Sequence, residues 1–199
     1  MPLCQNKRIG AAIISFCVVY GISCGNLLAV TPQKTLEATI DHLQTILHDA
    51  NLGADARKKQ IRELIFSRID CREMSKRILG SYWNQNPTNQ DDFVVAFTGF
   101  MERTFFNKVE KIRDVKVSYQ QEEIQGPLAT IMMNMHTSAS GYHIKVHMHE
   151  SESGWKIYDL TLEDLGFSLV RSYRAQLQRV LQQASFQELL EIIAAKNMR

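Results

Sequence analysis

The sequence predicts an α+β single domain, in which a twisted four-stranded antiparallel sheet is packed with several helices. Two observations predict it. Apolar residues recur at three- and four-residue intervals up to about Arg113 and again after Asp164, and between those limits the period falls to two. The connections inside the period-two region, Thr137 to Gly141 and Glu150 to Gly154, are short and polar, which favours consecutive hairpins over crossovers. No internal repeat, low-complexity linker or second-domain boundary interrupts residues 26–199, so they read as one domain.

Residues 1–25 have the layout of an export signal: Lys7 and Arg8, an apolar run from Ile9 to Cys24, then small residues. The run is shorter than the roughly 20 residues needed to span a bilayer, which favours a cleaved signal over an anchor. Ser23-Cys24-Gly25 places cleavage after Gly25, with a second site after Ala29. Acylation at Cys24 is disfavoured because Gly21 stands where a branched apolar residue is wanted.

The elements follow in order. Leu36, Ile40, Leu43 and Leu47 share one face of a first helix that ends near Asn51-Leu52-Gly53. A second helix runs from Ala54 to about Ile69, with Arg57, Lys58, Lys59 and Arg62 on a solvated face. Cys71 to Gly80 is a short third helix stopped by Gly80. Asn86-Pro87-Thr88 breaks the chain, and Thr88 with Asp91 is expected to cap a long aromatic helix whose stripe is Phe93, Phe97, Phe100, Met101 and Phe105.

Val115, Val117 and Tyr119 then alternate with polar residues, Leu128 to Thr137 is a β-prone run, and Tyr142, Ile144, Val146 and Met148 alternate with His143, Lys145, His147 and His149. Trp155 to Leu160 supplies the fourth strand. Two helices close the chain, one from about Asp164 to Gln183 and one opened by a Ser185–Glu188 capping box.

Composition narrows the function. Beyond Gly25 the chain has 21 basic and 21 acidic residues, a formally neutral balance that argues against a nucleic-acid groove. Only Cys71 remains of the four cysteines, so no intramolecular disulfide forms, and it reads as a small buried apolar residue. His143, His147 and His149 lie on one strand face beside Met132, Met133, Met135 and His136, an imidazole and thioether set that would suit copper. Lys145 on the same face opposes a cation, and a half-exposed strand explains the pattern without a metal. There is no Gly-x-Ser-x-Gly elbow, Walker loop or His-Glu-x-x-His helix; a hydrolase remains as an alternative only if distant serines and aspartates converge in space.

Leu79-Gly80-Ser81-Tyr82-Trp83, Gln90 to Phe97, Trp155-Lys156-Ile157-Tyr158-Asp159, Ser168-Leu169-Val170, Tyr173-Arg174-Ala175-Gln176 and Ser185 to Leu190 occur in an order and spacing that resembles the MlaC family, also called the toluene-tolerance family, over about Thr35 to Lys196. The resemblance implies a periplasmic phospholipid-binding protein with an NTF2-like cleft between sheet and helices, and no enzyme activity. It implies phospholipid held as cargo, without a cofactor, and the single long apolar run at residues 9–24 with balanced charge beyond it leads us to expect a monomer. The implied partners are an outer-membrane lipoprotein–porin complex and an inner-membrane ABC transporter complex with its substrate-binding-domain subunit, between which lipid is shuttled to maintain outer-membrane lipid asymmetry. Candidate lipid-binding residues are Tyr82, Phe93, Phe97, Met101, Phe105, Ile144, Val146, Tyr158, Tyr173 and Leu177, with Arg174, and less so Arg171, at the mouth for a phosphate. Between Asp159 and Ser168 the chain is about two residues longer than the family pattern implies.

Overall fold

The computed structural model describes residues 30–106, 113–137 and 140–197; the expected export signal lies outside them. Thr31 opens α1 (Pro32–His48) by accepting the Lys34 N–H on Oγ1 at 3.2 Å, with Pro32 preset at the first helical position. α2 (Ala54–Arg68) follows, with Ile61 as its buried residue. Of its basic face, Lys58, Lys59 and Arg62 are exposed, Arg62 pairing with half-buried Glu102 at 2.8 Å, whereas Arg57 is half-buried and donates to the Asp49 and Leu52 carbonyls. Asp70 caps α3 (Cys71–Leu79) through the Glu73 N–H, and Gly80, at φ +60°, ends it.

A short helix α4 (Ser81–Gln85) then carries Trp83 inward. The cap expected from Thr88 and Asp91 does not form. Pro87–Asn89 is a 3-10 turn, Thr88 Oγ1 donates to Asn89, and Asp91 accepts from Arg72 at 2.6 Å instead. α5 (Gln90–Phe106) continues directly from that turn.

The sheet is a meander of β1 (Lys116–Gln125), β2 (Leu128–His136), β3 (Gly141–Ser151), β4 (Gly154–Leu162) and β5 (Phe167–Ser168), every neighbouring pair antiparallel. Five strands replace the expected four. Thr161 and Leu162 prolong β4, Glu163–Leu165 form a 3-10 turn ended by left-handed Gly166, and the chain returns as β5. The same turn moves the start of the next helix from about Asp164 to Leu169: α6 (Leu169–Leu181) is capped by Ser168, whose Oγ accepts the Arg171 N–H at 3.1 Å. α7 (Phe186–Asn197) begins at the expected capping box, with Ser185 N–H donating to Glu188 at 2.7 Å and Glu188 N–H to Ser185 Oγ at 3.2 Å.

Apolar side chains gather in three clusters. Ala129, Ile131, Met133, Ile144, Val146 and Met148 of the sheet face Leu36 and Ile40 of α1. Leu43, Ile46 and Leu47 of α1 pack on Ile61 of α2 and on Phe105 and Phe106 at the end of α5. The third cluster joins α3 to α7, around Ile78, Leu79, Trp83, Phe93, Phe97, Met101, Leu189 and Ile193. The helical layer is thus held to the β4 edge of the sheet, where Asp70 N–H donates to the Ile157 carbonyl at 2.8 Å.

Candidate functional site: an amphiphilic cleft between α3, β4 and α6

The cleft is shaped by a β-bulge. His147 pairs with Asp159 and Met148 with Ile157, which leaves Tyr158 as an extra residue on β4. Plain alternation would put Ile157 and Leu160 on opposite faces. The bulge lets both join the sheet core while the Tyr158 ring turns to the helical cluster. There the Arg77 guanidinium lies 3.9 Å from its ring centroid, a cation–π contact.

Asp159, next in sequence, ties α6 to the sheet. Its Oδ2 accepts the Ser168 hydroxyl at 2.7 Å, and Oδ1 accepts the Leu160 and Val170 N–H groups at 2.8 and 3.0 Å. A carboxylate at a helix N-terminus is the favoured polarity. This is the convergence of a distant serine and aspartate that a hydrolase would need, but Ser168 Oγ is engaged by Asp159 and by the helix cap, and the nearby His147 bonds Thr130 and Thr161 instead. The pair anchors a helix.

So placed, α6 presents Val170 and Arg174 to α3 across a cleft of about 520 Å3, within the range of small-molecule sites. Trp83, Tyr158 and Val170 form its apolar floor, contiguous with the helical cluster. Its rim is charged. Glu73 accepts from Arg77 at 2.8 Å and pairs with Lys76 at 3.6 Å. The Arg174 guanidinium lies against Gly80: a Cβ built there would stand 2.5 Å from its terminal nitrogen.

Behind the floor the helical cluster is closed. Tyr173 meets Phe97 and Phe100 edge to face at centroid distances of 5.8 and 5.4 Å, and Phe93 stacks on Phe97 at 6.0 Å. A cavity of about 30 Å3 remains among Phe97, Phe100, Tyr173, Leu177 and Ile193, enough for water and too small for an acyl chain.

Of the residues singled out in the sequence, Phe93, Phe97, Met101, Tyr173 and Leu177 come together in the helical cluster, with Tyr82 at its margin. Tyr158 and Arg174 face the cleft. Phe105 instead packs between α1 and α2, and Ile144 and Val146 lie in the sheet core against α1. Among the described residues Phe97 and Met101, Phe105, and Ile144 with Val146 thus belong to three separate apolar clusters, because the α5 stripe is divided among different partners. Trp83, Lys76, Arg77 and Val170 also line the cleft without being among the candidate residues; Trp83 and Val170 were visible only as members of the quoted motifs, and Arg77 only through its spacing of four from Glu73.

The three histidines do not assemble into a metal site. His143 bonds Asp164 at 2.8 Å, His147 bonds Thr130 and Thr161, and His149 bonds Asp70 at 2.9 Å. Among the described residues no three His, Cys, Asp or Glu side chains gather as ligands. Burial pushes the His147 pKa down, with the Lys145 and Arg77 charges adding to it and Asp159 opposing.

No curated protein matches the chain. Among solved structures it is similar to a phospholipid-binding protein from Ralstonia solanacearum, determined in complex with a phospholipid, at 20% identity over 83% of this chain and 96% of that one, with a TM-score of 0.72. At that identity the likeness concerns the fold: the same α+β single domain. The family model for MlaC protein matches residues 37–195, a span that contains Leu79–Trp83, Trp155–Asp159, Ser168–Val170 and Tyr173–Gln176, each of which contributes to this cleft or to the apolar cluster behind it; the chain belongs to the MlaC family.

Proposed function

We propose that this protein is a periplasmic phospholipid carrier that takes lipid between an outer-membrane lipoprotein–porin complex and an inner-membrane ABC transporter, and so maintains outer-membrane lipid asymmetry. The observation that carries the reading is an amphiphilic cleft, built by motifs of the MlaC family, whose apolar floor leads into a large apolar helical cluster. The phospholipid held by the Ralstonia solanacearum protein supports the cargo. The export-signal layout of residues 1–25, read from the sequence, supports the compartment. Among the described residues no helix is long and apolar enough to cross a membrane.

Energetics favour a closed interior that opens for its cargo. Swinging Tyr173 off Phe97 and Phe100 gives up two aromatic contacts, roughly 1–3 kcal/mol together, whereas burial of an acyl chain contributes about 0.8 kcal/mol per methylene. A handful of buried methylenes offsets the opening. Tyr82, Phe93, Phe97, Met101, Tyr158, Tyr173 and Leu177 are the proposed chain contacts, and the protein acts as a monomer without catalysis or a cofactor.

The test is solvent extraction of the purified protein followed by mass spectrometry, with metal analysis in parallel. Phospholipid in near-stoichiometric amount is expected. Stoichiometric copper or zinc with no lipid would sink the carrier reading.

A further inference from the structure

The cleft holds one cationic side chain, Arg174, that no group among the described residues engages. Of the charged side chains lining it, Lys76, Arg77 and Arg174 are basic and Glu73 and Asp159 acidic, a surplus of one positive charge. The acids are committed elsewhere: Glu73 to Lys76 and Arg77, Asp159 to Ser168 and the first N–H groups of α6. Arg77 is further fixed over Tyr158. Among the described residues no hydrogen bond or ion pair engages Arg174, which is exposed and rests on the bare backbone of Gly80. Chain geometry maintains that arrangement, since Gly80 ends α3 at φ +60°, where side chains are disfavoured, and lacks the Cβ that would displace the guanidinium.

A fork of guanidinium donors above an apolar floor matches the junction of a phospholipid, where a phosphodiester meets two acyl chains. We infer that Arg174 selects cargo by binding its phosphodiester, so that the protein discriminates phospholipids from uncharged lipids with the same chains while treating different phospholipid headgroups alike. The inference rests on the carrier reading and adds the chemical feature the cleft recognises. Discrimination is modest, because the site is open to solvent and an exposed ion pair contributes little.

The test is lipid exchange from vesicles of phosphatidylglycerol mixed with diacylglycerol of identical acyl chains, with bound lipid quantified by mass spectrometry. The wild-type protein is expected to be enriched in phosphatidylglycerol relative to the vesicle. Arg174→Gln should lower that enrichment by about fivefold, the equivalent of ~1 kcal/mol, with total bound lipid and melting temperature unchanged. Arg174→Lys should recover part of it, and Arg171→Gln, whose guanidinium is held by the Gly166 carbonyl at 2.7 Å, should leave it unaltered. Equal enrichment in wild type and Arg174→Gln would overturn the inference while leaving the carrier reading intact, whereas a wild-type protein that takes up neither lipid would overturn both. Inorganic phosphate serves as the second probe. Phosphate binding that depends on Arg174, without any change in lipid enrichment, would reassign the residue to free anions and remove it from cargo selection.

Discussion

Gly80 is the residue on which the cleft geometry turns. Its φ of +60° with ψ of −121° is a conformation almost confined to glycine, and a Cβ there would meet Arg174. Gly80→Ala is expected to cost about 1–3 kcal/mol in urea unfolding, from backbone strain above all. Combining it with Arg174→Ala should recover the part due to the guanidinium; strict additivity would show that the close approach has no energetic content. His147 sets an acid-side dependence. Its folded pKa lies below its usual 6.5, so as pH falls through 6.5 the unfolded chain takes up a proton that the folded chain does not, and stability declines. His48, raised by the Gln44 carbonyl and Asp114, acts in the opposite sense: its contribution is present below 6.5 and lost as pH rises through its folded value. His147→Gln should therefore flatten the fall in stability between about pH 7 and about pH 5, and an unchanged slope would remove His147 from that role.

At the scale of elements, Asp159 joins β4 to the start of α6 with two hydrogen bonds, from the Ser168 hydroxyl and the Val170 N–H, and accepts a third from the Leu160 N–H of its own strand while nearly fully buried. Asp159→Ala leaves the Ser168 hydroxyl and two N–H groups without that partner, and a loss of about 1–3 kcal/mol is expected in urea unfolding, with α6 the first segment to lose amide protection. A loss spread evenly through the sheet would contradict the tether. The change of period after Arg113 made the order of helices and strands legible, and the Ser185–Glu188 box marked α7 because its partners are three residues apart. Misreadings arose where one residue resets the pattern. Gly166 in the left-handed region turned what reads as helix into a fifth strand, the Tyr158 bulge moved Asp159 to the helical side, and Asp91 found Arg72 19 positions earlier in the chain instead of capping locally with Thr88. Each is a tertiary or backbone choice that spacing does not encode.

For the molecule as a whole, spacing identified inward-facing residues without indicating which would meet. Phe97, Phe105 and Val146 are all inward-facing, yet each belongs to a different cluster, because α5 crosses from the α6–α7 layer to the α1–α2 pair while the sheet core is covered by α1. On the carrier reading, that division bears on which element opens for cargo. In the closed interior Phe97 and Phe93 are 2% and 0% exposed, so truncating either to alanine is expected to destabilise the lipid-free protein by about 3–5 kcal/mol. α6, by contrast, has no fully buried residue; its grip on the cluster comes from half-buried Tyr173, Leu177 and Val180. An element with so little buried surface has a low local opening free energy. Phospholipid loading should therefore slow amide exchange most in residues 169–181, where chains replace weak contacts, and leave β2 and β3 nearly unchanged. Tyr173→Ala should open the same route, giving a folded protein with faster lipid exchange from vesicles. If loading instead changes protection chiefly in α1 and the sheet, the chains enter between those layers and Tyr173 is not the gate.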